Sequence, residues 1–268
     1  YNAECTIEFT RARGHATELA TEAKDQGFDL VVAVGGDGTI NEVAQGALRS
    51  SLPMGIIPRG SGNGLARHLG IPLQIPAGLH VLFTGTPLAM DTFTVNGKLS
   101  LNVSGIGFDG QIANLFGGKT KRGLAGYIKL TLNEYFQYKE FPVTITCNNQ
   151  KTSHHPFILA IANSSQYGNN ARIAPQASVC DEQLHITLLK KIPAYRLDFI
   201  YALFAGKLKK SWLCEIITTS HLQVQTPYPV AFHVDGEPCG MDQEFTINLQ
   251  PRALQMMVPK SSVQQGQV

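Results

Sequence analysis

The sequence is poor in charge. Asp, Glu, Lys and Arg make up 16% of its 268 residues, against roughly 25% in an average globular domain. The charge present nearly cancels, with 22 Lys and Arg against 20 Asp and Glu. A nucleic-acid platform shows a basic excess, so no nucleic-acid partner is expected. Cysteine is scarce and scattered: Cys5, Cys147, Cys180, Cys214 and Cys239 are odd in number and form no CxxC pair. That spacing argues against a disulfide framework and a zinc site, and it fits a reducing, cytosolic setting. Long apolar runs are missing too. Leu30–Val34, Phe157–Ala162 and Phe199–Ala205 fall far short of the ~18 residues that span a bilayer. Tyr1-Asn2-Ala3-Glu4-Cys5 resembles no signal peptide and carries no initiator Met, so further residues are expected upstream.

What is present is enough apolar residue for a core, 43%, and an excess of glycine, 26 residues, over the usual ~7%. The first stretch alternates helical and strand patterns. Ala16, Leu19, Ala20 and Ala23 recur at helical spacing, with Gly27 as a stop. Leu30–Val34 is an unalternating run, as in a buried parallel strand. Ile40, Val43, Ala44, Ala47 and Leu48 mark a second helix, Met54–Ile57 a second strand and Leu65–Leu69 a short helix. Such βα units build a parallel sheet with helices on its faces. Beyond, Leu88–Val95 and Lys98–Val103 flank Asn96-Gly97, a strong hairpin signal. A helix is predicted from Leu124 to about Gln137 and another over Leu197–Gly206. Strands are predicted at Pro142–Cys147, Phe157–Ala162, Leu184–Leu189, Glu215–Thr219, Leu222–Thr226, Val230–Val234, Glu244–Leu249 and Ala253–Val258. The chain therefore divides into an α/β domain over residues 1–90, a mostly antiparallel β domain over 91–260, and a polar tail over 261–268.

Two glycine-rich loops, Gly35-Gly36-Asp37-Gly38-Thr39 and Gly60-Ser61-Gly62-Asn63-Gly64, follow the first two strands. Glycine lets backbone approach an anion, and a helix N-terminus offers free N–H groups and a partial positive charge. In a parallel sheet both loops lie at the carboxyl ends of strands, where ligands bind. Any single glycine pair reads as a tight turn; two loops in adjacent βα units point to a phosphate-bearing ligand. Asp37 beside a phosphate repels it unless a cation intervenes, which points to Mg²⁺-nucleotide chemistry.

These residues resemble a family. Gly35-Gly36-Asp37-Gly38-Thr39-Ile40-Asn41-Glu42-Val43 is similar to the nucleotide-binding signature of the diacylglycerol kinase catalytic-domain superfamily, which includes bacterial lipid kinases and sphingosine and ceramide kinases. Ile56-Ile57-Pro58-Arg59-Gly60-Ser61-Gly62-Asn63-Gly64-Leu65-Ala66-Arg67 resembles its second motif. Gly14-His15-Ala16, Asn102–Asp109, Tyr167-Gly168, Ala174-Pro175 and Asp235-Gly236-Glu237 match in order. The resemblance implies an N-terminal three-layer α/β domain, a C-terminal β-sandwich, and a site in the cleft between them. It implies transfer of the γ-phosphoryl of ATP to a lipid hydroxyl, diacylglycerol-like or sphingoid-like. Asp37 resembles the acid at the Mg²⁺–phosphate site. Gly35, Gly36, Gly38 and Thr39 would cradle the nucleotide from one side, and Gly60, Ser61, Gly62 and Asn63 from the other. Lys121 and Arg122 stand where the family places cations that meet phosphates. Asp109 resembles an acid of the water–metal network, and Asp181, with the Leu184 carbonyl, resembles a ligand set for a structural Mg²⁺.

Glu237 resembles the family's general base, and a lipid alcohol needs one, since it is a poor nucleophile until its proton is accepted. By itself Asp235-Gly236-Glu237 also reads as a hairpin turn. Three departures stand out. Asp181-Glu182-Gln183-Leu184-His185-Ile186 replaces the family's Asp-Gly-x-Leu-Asp-Val, which leaves a turn acid as an equal reading of Asp181. Gly64 stands where bacterial members carry Asp. The family's first strand, with an Asn-Pro-x-x-Gly loop, would precede Tyr1. The lack of C1 or pleckstrin-like modules fits a bacterial member. Other readings are an NAD kinase-like small-molecule kinase and a non-catalytic lipid- or nucleotide-binding relative. The expected setting is cytoplasmic, peripheral to the inner face of the membrane, with transient membrane contact for the lipid substrate; a homodimer is compatible with the sequence. His154-His155, His68, His80, His221 and His233 read as surface or structural residues, and Trp212 with Lys207, Lys209 and Lys210 as a solvated helix end or a membrane-facing cluster.

Overall fold

The computed structural model describes residues 3–116, 124–193 and 195–264. The chain forms two compact units. Unit 1 takes residues up to Thr92, then Ser178–Glu182, then the stretch from Gln250; unit 2 takes Phe93–Ala177 and Gln183–Leu249.

Unit 1 begins with α1 (His15–Glu22), β1 (Val31–Gly35), α2 (Asp37–Ser50), β2 (Met54–Pro58), α3 (Gly64–His68), α4 (Ile75–Thr84) and the start of β3 (Thr86–Val95). β1 and β2 pair in parallel, Val31 opposite Met54 and Gly35 opposite Pro58. Register therefore ends both strands at the same level, and the two glycine loops leave the sheet side by side. Every residue of β2 is buried, as a central parallel strand requires. α2 turns Ile40, Val43, Ala44 and Ala47 inward. α1 lies close on α2, because a Cβ on Gly46 would stand 2.5 Å from that of Ala20. α4 was not visible in the helical pattern of the sequence. Pro76 sits in its first turn, where proline's missing N–H costs nothing.

Unit 2 continues with β4 (Lys98–Ser100), β5 (Val103–Gly107), α5 (Phe108–Phe116), α6 (Leu124–Gln137), β6 (Val143–Cys147), β7 (Gln150–His154), β8 (Ile158–Ala162), β9 (Leu184–Leu189), α7 (Leu197–Phe204), β10 (Cys214–Thr219), β11 (His221–Val234) and β12 (Glu237–Val258). Antiparallel neighbours run β12, β11, β5, β8, β9, β10, with β6 paired to β11 and β7 to β6. The β-sandwich core lies on one face of β5, β8 and β9. There Ile106, Leu159, Ile161, Ile186 and Leu188 meet Val224, Phe232, Phe245 and Ile247. On the opposite face Val103, Ala160, Ala162 and Leu189 pack against Phe199 of α7, Leu208 and Leu213. Both faces are covered, so these strands carry apolar runs rather than alternation.

Five expected strands differ. The strand expected over Lys98–Val103 breaks into β4 and β5, because the Asp235 carboxylate accepts the N–H groups of Leu101 and Asn102 and so removes them from strand pairing. The strands expected at Leu222–Thr226 and Val230–Val234 are one strand, β11, with a register shift between Gln225 and Val230 where Pro227 and Pro229 cannot donate. Those expected at Glu244–Leu249 and Ala253–Val258 are likewise one strand, β12, whose first part serves unit 2 and whose last nine residues serve unit 1. α5 begins inside a stretch that the sequence marks only by its motif, Asn102–Asp109. α8 (Lys260–Gln264) closes unit 1, with Ser262 Oγ donating to the Leu69 carbonyl at 2.9 Å. No helix among the described residues is long and apolar enough to cross a membrane.

Candidate active site

In unit 1 the two glycine loops touch backbone to backbone. A Cβ on Gly60 would stand 2.5 Å from Gly36 Cα, and one on Gly36 would stand 3.1 Å from Gly60 Cα. Gly60 has no room for a side chain, and at Gly36 a Cβ would be tight against the facing backbone. The Arg59 N–H donates to the Gly35 carbonyl at 2.7 Å, which carries the sheet pairing one step into the loops. Asn63, buried and in the left-handed region at φ 49, closes its own loop. Its Oδ1 accepts the Gly60 N–H and its Nδ2 donates to the Gly60 carbonyl, each at 2.8 Å. Its role here is to hold the loop's shape.

Asp37 is the first residue of α2, and Gly36 before it is extended at φ −93. An acid there is favoured by the helix dipole. Its Oδ1 accepts the Gly64 N–H at 3.0 Å, and a Cβ on Gly62 would stand 3.2 Å from its Oδ2. The carboxylate thus fixes the second loop to the head of α2. Gly38 follows it inside the first turn, and Thr39 packs back on Gly35, where a Cβ would stand 2.7 Å from the Thr39 side chain. Ser61 is the exposed tip of the second loop. The cradle has two supports that the sequence pattern did not flag as such. Arg67 Nε donates to the Gly62 carbonyl at 3.2 Å. Glu42 accepts the Gly14 N–H at 2.9 Å, tying the start of α1 to α2.

In unit 2 three donors converge on Asp109, at the start of α5. The Tyr167 hydroxyl donates to its Oδ2 at 2.8 Å, His233 Nε2 lies 3.3 Å from the same oxygen, and the Gly110 N–H donates to its Oδ1 at 2.9 Å. The Gly236 N–H donates to His233 Nδ1 at 3.1 Å. Nδ1 is therefore an acceptor, and the imidazole proton sits on Nε2, facing Asp109. Burial, and secondarily the Asp109 charge, holds the Tyr167 hydroxyl well above its ordinary value, so Tyr167 stays a donor. A Cβ on Gly105 would stand 1.8 Å from Asp109 Oδ2, so only glycine fits there. His233, expected to be an isolated structural residue, belongs to this cluster. No spacing rule could show it, since the two partners are distant in sequence.

Asp235-Gly236 is a hairpin turn, with φ 50 and 85, that opposes Val234 to Glu237. Its two acids divide their work. Asp235 accepts from Ser100 Oγ at 2.7 Å and from the Leu101 and Asn102 N–H groups at 2.8 and 3.0 Å. Glu237 is exposed at the head of β12.

Asp181 is exposed in unit 1, within a turn anchored on buried Asp91. The Glu182 N–H donates to Asp91 Oδ2 and the Arg252 N–H to its Oδ1, each at 2.7 Å. Burial raises the Asp91 carboxyl, the two N–H groups oppose that, and the Asp181 and Glu182 charges add to it. Leu184 is a fully buried residue of β9. Among the described residues no three His, Cys, Asp or Glu side chains gather as a metal cage. Asp37 suits a Mg²⁺ held mainly by nucleotide phosphates and water, a role that asks the protein for one or two carboxylates. Asp109, taken up by three donors, suits a hydrogen-bond node rather than an open ligand. Arg122, with Lys121, lies outside the described residues.

Residues 1–95 match the diacylglycerol kinase catalytic domain, and residues 102–258 match the YegS C-terminal NAD kinase beta sandwich-like domain. The chain belongs to the diacylglycerol kinase catalytic-domain family. Relatives from this lipid kinase family align over nearly its whole length. One from Yersinia enterocolitica, named "probable lipid kinase YegS-like", is 30% identical over 94% of this chain and 86% of its own. Another of that name, from Chromohalobacter salexigens, is 26% identical over 96% and 84%. A crystal structure of a diacylglycerol kinase from Bacillus anthracis shares the fold, with a TM-score of 0.71 and 20% identity over 94% of this chain and 84% of that one. As a member of the diacylglycerol kinase catalytic-domain family the chain is a kinase, built from an α/β unit and a β-sandwich unit.

Proposed function

We propose that this kinase transfers the γ-phosphoryl group of ATP, with Mg²⁺, to the hydroxyl of a diacylglycerol-like or sphingoid-like lipid. The observation that carries the reading is the contact of the Gly36 and Gly60 backbones beside Asp37, with α2 starting at that point. Gly35, Gly36, Gly38, Thr39 and the loop Gly60–Asn63 surround the phosphates with backbone N–H and hydroxyl groups. When bound, Mg²⁺ neutralises phosphate charge, and Asp37 is the residue that would hold it. In the transfer the lipid O–H proton passes to the Glu237 carboxylate. The freed oxygen bonds to the γ-phosphorus, the β–γ bridging bond breaks, and ADP leaves. A positioned carboxylate is a general base that can accept that proton.

The test is ATP labelled in its γ-phosphate, offered with diacylglycerol, phosphatidylglycerol, a sphingoid base and NAD in turn. Label is expected in a lipid and not in NAD. Chelation of divalent cations should stop transfer, and Glu237→Gln should slow it on the order of 10²–10⁴-fold. Label in NAD alone, or transfer untouched by Glu237→Gln, overturns the reading.

A further inference from the structure

α7 carries apolar residues on both faces. Phe199 and Leu203 point into unit 2 and pack with Leu208 and Leu213. Leu197, Ile200, Tyr201 and Phe204, at helical spacing, point outward, with Leu197 68% and Tyr201 66% exposed. The chain that follows repeats this division. Leu208 and Leu213 are buried anchors, and the Lys190 N–H pins the Leu213 carbonyl at 2.9 Å. Between the anchors Lys207, Lys209, Lys210 and Trp212 face out, Trp212 at 64%. Tyr195, just before α7, is also exposed. α7 and residues 205–212 thus lie on one buried layer and present one outer face, apolar and aromatic. Scattered exposed apolar residues need no explanation, whereas a contiguous patch does.

The patch is bordered by one sign of charge. From Lys190 to Trp212 there are six cationic side chains against Asp198 alone. The Lys191 ammonium is taken up by the Phe136 and Tyr138 carbonyls at 3.1 and 2.8 Å, and Lys207, Lys209 and Lys210 are exposed in the segment that follows α7. Arg196 and Asp198 pair with each other, Nε to Oδ1 at 2.7 Å. The Lys207 ammonium lies 5.9 Å from the Tyr201 ring centroid. Leu, Ile and Phe flanked by Trp, Tyr and Lys is the composition of a surface that enters the headgroup region of a bilayer. Its rings sit at the boundary and its ammonium groups meet anionic lipid.

We propose that this face, α7 with residues 205–212, docks on the surface of an anionic phospholipid bilayer. The proposal leans on the lipid-substrate reading only for the reason a membrane must be met, and its test involves no turnover. Trp212 is the chain's single tryptophan, so its emission reports this face alone. The full chain is titrated with vesicles of phosphatidylcholine, and of phosphatidylcholine mixed with phosphatidylglycerol. A blue shift is expected with the anionic vesicles, quenched by acyl chains carrying bromine and weakened by salt. Lys209→Glu with Lys210→Glu should weaken binding about tenfold or more, and Leu197→Asp with Tyr201→Asp should abolish it, with circular dichroism unchanged. Unchanged emission with anionic vesicles, or variants that bind as the parent does, overturns the proposal. So does a shift that grows with protein concentration without vesicles, which assigns the face to a second copy of the chain. Binding without phosphorylation of any lipid leaves docking standing and sinks the proposed reaction. Phosphorylation of a short-chain, monomeric diacylglycerol without vesicle binding does the reverse.

Discussion

Asp37 Oδ1 accepts the backbone N–H of Gly64 at 3.0 Å, so the acid at the head of α2 also holds the N-terminus of α3. One carboxylate thereby serves shape and charge, and the two can be separated. Asp37→Asn keeps an oxygen for the Gly64 N–H and loses the charge. Its unfolding temperature should stay near that of the parent while kinase turnover falls on the order of 10²–10³-fold. Asp37→Ala loses both and should also cost about 1 kcal/mol of stability. Turnover unchanged in Asp37→Asn would remove Asp37 from the chemistry.

Gly60→Ala puts a methyl group 2.5 Å from Gly36 Cα and 2.9 Å from Asn63 Oδ1. Backbone cannot yield there as a flexible side chain would, so the loops must part. Thermal unfolding should show a loss of about 1–3 kcal/mol, with a rise in KM for ATP.

The two acids of the Asp235-Gly236-Glu237 turn should separate in the same way. Asp235→Ala strips an acceptor from Ser100 Oγ and two backbone N–H groups, and should destabilise by about 2–3 kcal/mol. Glu237→Gln, at an exposed position, should leave denaturant midpoints within about 0.5 kcal/mol of the parent while slowing turnover. Equal stability losses would contradict this division.

Asp91 supplies a pH prediction. Its carboxyl is raised above the ordinary 3.8, first by burial. Between 3.8 and that raised value the folded chain holds a proton that the unfolded chain has shed. The contribution of this group to stability therefore rises as pH falls through that window, and is lost as pH rises. Asp91→Asn sets an amide N–H against one of two backbone donors and should cost about 1–3 kcal/mol at pH 7. The gap between parent and variant should widen on acidification, as followed by chemical denaturation at a series of pH values. A gap that narrows would refute the assignment.

Burial pushes the Cys214 thiol up to about 11, whereas Cys5 is exposed. The thiolate is the reactive form. A thiol reagent at pH 8 should therefore label Cys5 in its fast phase and reach Cys214 only on unfolding, as peptide mass mapping would show.

The half of the site with a local signature was legible in the sequence. Leu30–Val34 followed by Gly35-Gly36-Asp37-Gly38-Thr39, and the second loop one βα unit later, show where strands end, where helices start and which acid stands between. The contact of Gly36 with Gly60 was not legible, because it depends on register between β1 and β2. The cluster of Asp109, Tyr167 and His233 is assembled from three elements by the folding of unit 2, and no two of the three are neighbours in sequence. The break between β4 and β5 comes from Asp235, more than a hundred residues later, which no local propensity contains. Pro227 and Pro229 show in the sequence as a gap between two strands, whereas β11 runs through them with a shift of register.

β12 has a consequence for the order in which the protein can be completed during synthesis. Its last nine residues belong to unit 1, where Met256 sits opposite Met54 and, with Leu254 and Val258, is buried. A ribosome delivers every residue of unit 2 before those nine emerge. β2 then stands with one neighbour and an unpaired edge for most of translation, the state in which a strand recruits wrong partners. The two glycine loops therefore acquire their finished support last, although their own residues are made early. Ending the gene after Leu249 would damage the N-terminal unit rather than the one it appears to truncate.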